Sequence, residues 1–152
     1  MRLATCLALL LVQSSWSATV PSPDRFEADR RAIEDVERSL VAAHTIDQIM
    51  KFYAPGEDTV LYDPVVPEPV RGFKAIQNTF LQQLSGFTSL SAAILELTVD
   101  SDGKIGYAFS VQRVSIQKKD GAREQHVLRQ TDVLRKLQGR WLIVHEHFSY
   151  TT

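Results

Sequence analysis

A chain of 152 residues with a formal charge of −1 and no block of like charge is long enough for one domain and offers no electrostatic footprint for nucleic acid or an anionic membrane. Its single cysteine, Cys6, lies in the N-terminal segment, so the body of the chain has neither a disulfide nor a thiol nucleophile. There is no Gly-x-Ser-x-Gly turn and no phosphate-cradling glycine loop, which removes the serine-hydrolase and nucleotide-binding classes.

In chain order, Arg2 supplies a positive start, Leu3 to Val12 is mostly apolar, and small or polar residues run to Ala18. This pattern reads as a secretory signal over residues 1–18, cut near Ser17 or Ala18, with an exported domain over 19–152 that is periplasmic or secreted. The apolar run is well short of the ~20 residues of a spanning helix, and Cys6 precedes the apolar core, which weakens a lipoprotein reading. Loss of Arg2 leaves the body one charge more negative.

Ser22-Pro23 is a helix-start signal. Phe26, Ile33, Val36 and Leu40 then recur at helical spacing, predicting a helix over about 23–43 with Glu37 bordering its apolar stripe. Thr45 and Gln48 have capping-box spacing, and Ile46, Ile49, Met50 and Tyr53 form the buried side of a short helix that Ala54-Pro55-Gly56 stops. A third helix follows Gly72, from the spacing of Phe73, Ile76, Phe80, Leu81 and Leu84, and ends at Gly86. The remainder is β in character, with strands over about 88–99, 105–118, 123–137 and 140–150, and turns at Ser101-Asp102-Gly103, Asp120-Gly121 and Gln138-Gly139. Asp120-Gly121 is the hairpin dipeptide of the tight turn with two positive φ angles. Helices early and long antiparallel strands late predict an α+β fold: helices over one face of a curved sheet, with a cone-shaped cavity between them.

Thr59 to Gly72, TVLYDPVVPEPVRG, is the stretch of greatest chemical interest. A short strand ends in Asp63, Pro64 holds the backbone extended, and a proline-rich loop closes on the third helix. Asp63 is a candidate base for proton abstraction beside a carbonyl; an Asx-type turn cap is the competing role. Leu128, Gln130, Asp132 and Leu134 share one strand face. Asp132 is therefore either a pocket-lining hydrogen-bond donor or a charge paired across the sheet with Arg113 or Arg129. His145 and His147 also point the same way, but a metal needs a third ligand. His126 shares a face with Asp132 yet lies roughly 20 Å along the strand. No metal and no cofactor is expected.

Ile46 to Tyr53, Val60 to Gly72, Ala75-Ile76 and the strand pair TDVLRKLQGRWLIVHEHFS together resemble the SnoaL-like and ketosteroid isomerase-like domains of the nuclear transport factor 2-like superfamily. The resemblance spans nearly the whole body of the chain. It implies Asp63 as the carboxylate that moves a proton and Asp132 as a protonated donor to the developing enolate, a pairing long used to illustrate pKa tuning. It also implies Glu37, Tyr62, Phe80, Val144, Glu146 and Phe148 as ligand-binding residues. Leu142, Val144, Glu146 and Phe148 then face the pocket, and Trp141, Ile143, His145 and His147 face outward, toward a homodimer surface. The family's oxyanion tyrosine on the first helix is replaced at or near Glu37, a third acid that works against steroid-type isomerisation. The expected function is binding of a small apolar or carbonyl-bearing molecule with isomerase, cyclase or dehydratase chemistry, in which Asp63→Asn abolishes turnover. The competing reading is a non-catalytic ligand carrier or homo-oligomerisation domain.

Overall fold

The computed structural model describes residues 23–151, so the leader reading over 1–18 lies outside the described residues. Pro23 opens a 3-10 turn over Pro23–Phe26, and helix α1, Glu27–Val41, continues it. Asp29 in the first turn of α1 accepts from Lys136 Nζ at 2.6 Å and Trp141 Nε1 at 3.1 Å, which ties the start of the helix to the last hairpin. Thr45 caps α2, Ile46–Ile49, through the full capping box: its hydroxyl accepts from Gln48 N, and Gln48 Oε1 accepts from Thr45 N. A 3-10 turn over Met50–Phe52 carries the chain to Tyr53. Strands β1, Val60–Tyr62, and β2, Val70–Arg71, bracket the proline loop, and α3, Phe73–Ser85, ends at Gly86. Four long strands complete the chain: β3, Phe87–Ser101; β4, Ile105–Lys118; β5, Arg123–Leu137; and β6, Arg140–Tyr150.

One six-stranded sheet runs in the order β2-β1-β6-β5-β4-β3. All neighbours are antiparallel except β1 with β6, where Val60, Leu61 and Tyr62 pair with His145, Glu146 and His147 in parallel. The β5–β6 turn is the tight one, with positive φ at both Gln138 and Gly139. At the β4–β5 turn the expectation of that geometry fails: only Gly121 has positive φ, and Asp120 instead accepts the Ala122 N–H in a four-residue loop between Lys118 and Arg123.

The core lies between the helices and the sheet and includes Ile33, Met50, Tyr53, Leu61, Ile76, Leu134, Trp141 and Ile143. Full burial of each aliphatic member stabilises the fold by roughly 1.5–3 kcal/mol. Helix α1 sits very close to the sheet because Gly106 has no side chain. A Cβ there would lie 2.3 Å from Ile33 Cδ1 and 3.2 Å from the Asp100 carbonyl. One turn after Ile33 on the same helical face comes Glu37, which the close approach buries completely.

Candidate functional site

Between α1, α3 and the inner face of the sheet is a cavity of about 250 Å³. Its walls are mostly apolar, from residues such as Leu40, Ile49, Phe80, Val114, Leu128 and Phe148. Sheet register explains its polar end. On the inner face Ala108, Asp132, Glu146 and Leu61 stand side by side across four strands, and Ser110, Gln130 and Phe148 form the next row. Asp132 and Glu146 are therefore direct cross-strand neighbours, an arrangement that opposes ionisation of both.

These groups form one buried network. Gln130 Nε2 donates to Glu146 Oε1 at 2.9 Å and to Asp132 Oδ2 at 2.5 Å. Gln130 Oε1 accepts from Gln112 Nε2 at 2.5 Å, and Gln112 also donates to Ser110 Oγ. The Tyr53 hydroxyl donates a short hydrogen bond to Glu146 Oε2. Tyr53 is held for this by a parallel bridge to Ile143 and by edge-on packing on Phe80. Neither Glu37 oxygen nor Asp132 Oδ1 receives a hydrogen bond from any described donor. None of the ion pairs among the described residues includes Glu37, Asp132 or Glu146.

Three carboxyls without a countercharge hold protons tightly. Burial, opposed by the Asp132 carboxyl, pushes Glu37 up to about 7. Burial outweighs the Tyr53 hydrogen bond at Glu146 and, with the charges of Glu37 and Asp63, pushes it up to about 8. Asp132 is shifted well above the carboxylate range by burial first, then by Glu146 and Glu37. A proton carried by Asp132 and offered to Glu37 satisfies the otherwise bare oxygens of that pair. Burial and the same acids also raise the Tyr53 phenol, so it is a donor throughout the physiological range.

The expected site residues divide cleanly by position. Asp63, Phe80, Glu146 and Phe148 line the cavity. Glu37 and Asp132 are fully buried at its closed end, outside the lining. Asp63 sits in an Asx turn, its Oδ1 accepting the Val65 N–H at 2.8 Å, while its Oδ2 accepts Gln83 Nε2 at 2.9 Å. Among the described residues Asp132 pairs with no arginine. Tyr62 faces away from the cavity, 42% exposed, and packs edge-on against His145 and His147. Val144 is displaced by a β-bulge: Val133 pairs with His145 and Leu134 with Ile143, so Val144 has no partner on β5. The extra residue reverses the alternation. Trp141 and Ile143 point into the core before the bulge, and Glu146 and Phe148 point inward after it. The two four-residue faces expected for β6 are each half right.

Tyr53, Gln112 and Gln130 belong to the site without having been singled out for it. Gln130 stands two residues from Asp132 on one strand face, which is a legible signal. Gln112 interrupts an inward row of Gly106, Ala108, Ser110 and Val114 on β4. Tyr53 had only the signature of a core aromatic. Burial lowers the pKa of His145, with His147 adding to the effect. Among the described residues no His, Cys, Asp and Glu side chains converge in a metal-holding group of three.

The profile of a family described as "SnoaL-like domain" matches residues 32–152. No curated protein sequence matches the chain. Solved structures share the fold at low identity. A ketosteroid isomerase-like protein from Erwinia carotovora atroseptica superposes with a TM-score of 0.71 at 18% identity, covering 84% of this chain and 99% of its own. A nuclear transport factor 2-like superfamily protein from Salmonella enterica gives 0.73 at 18%, covering 82% and 92%. One of unknown function from Pseudomonas putida gives 0.71 at 23%, covering 80% and 86%.

Proposed function

The chain belongs to the SnoaL-like domain family, and on that footing we propose that its cavity binds a small, largely apolar molecule whose one polar group meets Glu146. Glu146 then gives a proton to that group or takes one from it, in an acid–base reaction of the isomerase, cyclase or dehydratase kind. The observation that carries this reading is that, of the three clustered acids Glu37, Asp132 and Glu146, it is Glu146 that lines the cavity. Its two oxygens each accept one hydrogen bond from the protein, and a carboxylate has about four acceptor positions, so two remain for a ligand. A carboxyl poised at about 8 suits proton transfer near neutral pH. Tyr53 and Gln130 fix its orientation. Asp63, held by the Val65 N–H and Gln83, is a second carboxylate at the mouth and shapes entry.

The test is a paired substitution. Val114→Phe fills the apolar wall and is expected to abolish binding of small apolar molecules in an NMR titration while the protein stays folded. Glu146→Gln is expected to keep binding of a neutral ligand within about tenfold and to remove turnover by a factor of about 10² or more. Turnover unaffected by Glu146→Gln takes the residue out of the chemistry and favours a carrier.

We also propose export, supported by the pattern over residues 1–18. N-terminal sequencing of protein recovered from an exporting host is expected to start at Ala18 or Thr19. A chain that still begins at Met1 overturns this.

A further inference from the structure

All charged side chains that line the cavity are acidic. Asp63 and Glu146 contribute carboxyls, and among the described residues no lysine, arginine or histidine reaches the lining. Behind Glu146 stand Glu37 and Asp132, both fully buried. Apart from the proton that the two carboxyls share, neither Glu37 oxygen nor Asp132 Oδ1 meets a described donor. Apolar wall therefore leads to a concentration of acid for which the fold supplies no positive charge.

Three kinds of polar group could approach that end. An anion finds no donor with a full positive charge and faces carboxyls that turn negative as pH rises. A neutral acceptor or hydroxyl gains a hydrogen bond and leaves the acids holding their protons. A cation supplies the missing countercharge, and a buried charge that is paired is far less costly than one that is not. The walls add to this preference. Phe80, Phe87, Phe148, Tyr53 and Tyr150 border the cavity, and the negative face of an aromatic ring attracts an ammonium that lies over it. A cavity of about 150 Å³ takes a benzene ring, so the roughly 250 Å³ here takes a ring with a short side chain.

Resting on the reading of this cavity as a ligand site, we infer that its ligand is a small lipophilic amine, bound as the ammonium ion against Glu146. The ammonium donates to the two acceptor positions that Tyr53 and Gln130 leave open, and the apolar body lies along Phe80, Leu128 and Phe148. Binding is an exchange of protons for ligand. At neutral pH the Glu146 carboxyl is largely protonated; the ammonium arrives with its own proton, the carboxyl proton leaves to solvent, and an ion pair remains. The titratable groups facing Glu146 are Glu37 from α1, Tyr53, Asp63 from the loop after β1, and Asp132 from β5. None of them carries a positive charge: Glu37 and Asp132 lose protons as pH rises and so strengthen the pull on a cation, and Tyr53 stays a neutral donor.

The experiment is isothermal titration calorimetry of the purified protein with three probes of one apolar body: 2-phenylethylamine, 2-phenylethanol and phenylacetate. The amine is expected to bind at least about tenfold more tightly than the alcohol, the carboxylate not detectably. The heat of amine binding at neutral pH should depend on buffer ionisation enthalpy with the slope of a released proton, and affinity should rise from about pH 6 to pH 8. Glu146→Gln should bring the amine down to the affinity of the alcohol. If that variant does not fold, the slope and the pH trend of the unaltered protein still decide the matter. An alcohol that binds as tightly as the amine, or amine binding without proton release, overturns the amine assignment and leaves the cavity reading standing. Amine binding lost in Asp63→Asn but kept in Glu146→Gln overturns the placement at Glu146. Failure of all three probes to bind overturns the cavity reading with it.

Discussion

Glu37 is the residue on which the cost of this arrangement is most visible. It is fully buried, its oxygens meet no described donor, and its proton is held up to about 7. The sign of the resulting pH dependence comes from linkage. Unfolded, a glutamate releases its proton near pH 4.3; folded, Glu37 and Glu146 release theirs at about 7 and 8. Between those limits the native state binds more protons than the unfolded state, so stability is fully present at lower pH and falls as pH rises. A decrease on the order of several kcal/mol between pH 5 and pH 8.5 is expected from raised carboxyls of this kind, read as a falling unfolding midpoint in urea. Glu37→Gln removes one ionisable group without changing shape. It should be more stable than the unaltered protein at pH 8.5 and show a shallower pH profile. A variant less stable at that pH means that Glu37 is ionised and compensated in the native state. Glu37 beside the apolar stripe and Asp132 on a half-apolar strand face are readable from the sequence, because helical and strand periodicities set which way a side chain points. The partners are not readable: that Asp132 faces Glu146 and not an arginine depends on the pairing register of two long strands.

At the scale of elements, the limits of the long strands are fixed by turn residues, and the four strands expected from composition run close to the observed bounds. The bulge at Val144 has no such marker. One extra residue between the partners of Leu134 and Val133 reverses the alternation along the strand, which is why His145, Glu146, His147 and Phe148 face as expected while Trp141 and Ile143 point into the core against expectation and Val144 is displaced. Deleting Val144 should leave Ile143 next to His145 in strict alternation, with Glu146 still inward and opposite Asp132, so the variant should fold and still bind ligand. A deletion variant that folds but no longer binds shows that the bend of the bulge, and not register alone, sets the site. The contact of α1 with β4 depends in the same way on one atom that is absent. Gly106→Ala places a methyl group against Ile33 and the Asp100 carbonyl, and overpacking of this kind costs about 1–3 kcal/mol. Chemical denaturation is expected to show that loss. A neutral Gly106→Ala means that α1 can shift outward, which would also loosen the burial of Glu37.

The whole molecule is a curved sheet with its helices and cavity on one face and an open outer face on the other. On β4, Tyr107 and Phe109 stack with centroids 4.8 Å apart and stand 37% and 48% exposed. We propose a second copy of the chain as the cover for this face, so that sedimentation equilibrium should give the mass of a dimer and Phe109→Glu should give a folded monomer. A monomeric unaltered protein contradicts that assembly. The cavity does not depend on it, since every group in the acid network comes from one chain. The function we propose for it turns on a set of carboxyls without a countercharge that keep their protons near neutral pH and present one of their number, Glu146, to the cavity. The direct measurement is a carbon-13 NMR titration of side-chain carboxyls, assigned with Glu37→Gln and Glu146→Gln. Two resonances are expected to titrate at about 7 and 8 and to disappear with those substitutions. Carboxyls that all titrate below about pH 5, in the ordinary range, would contradict this picture of the site.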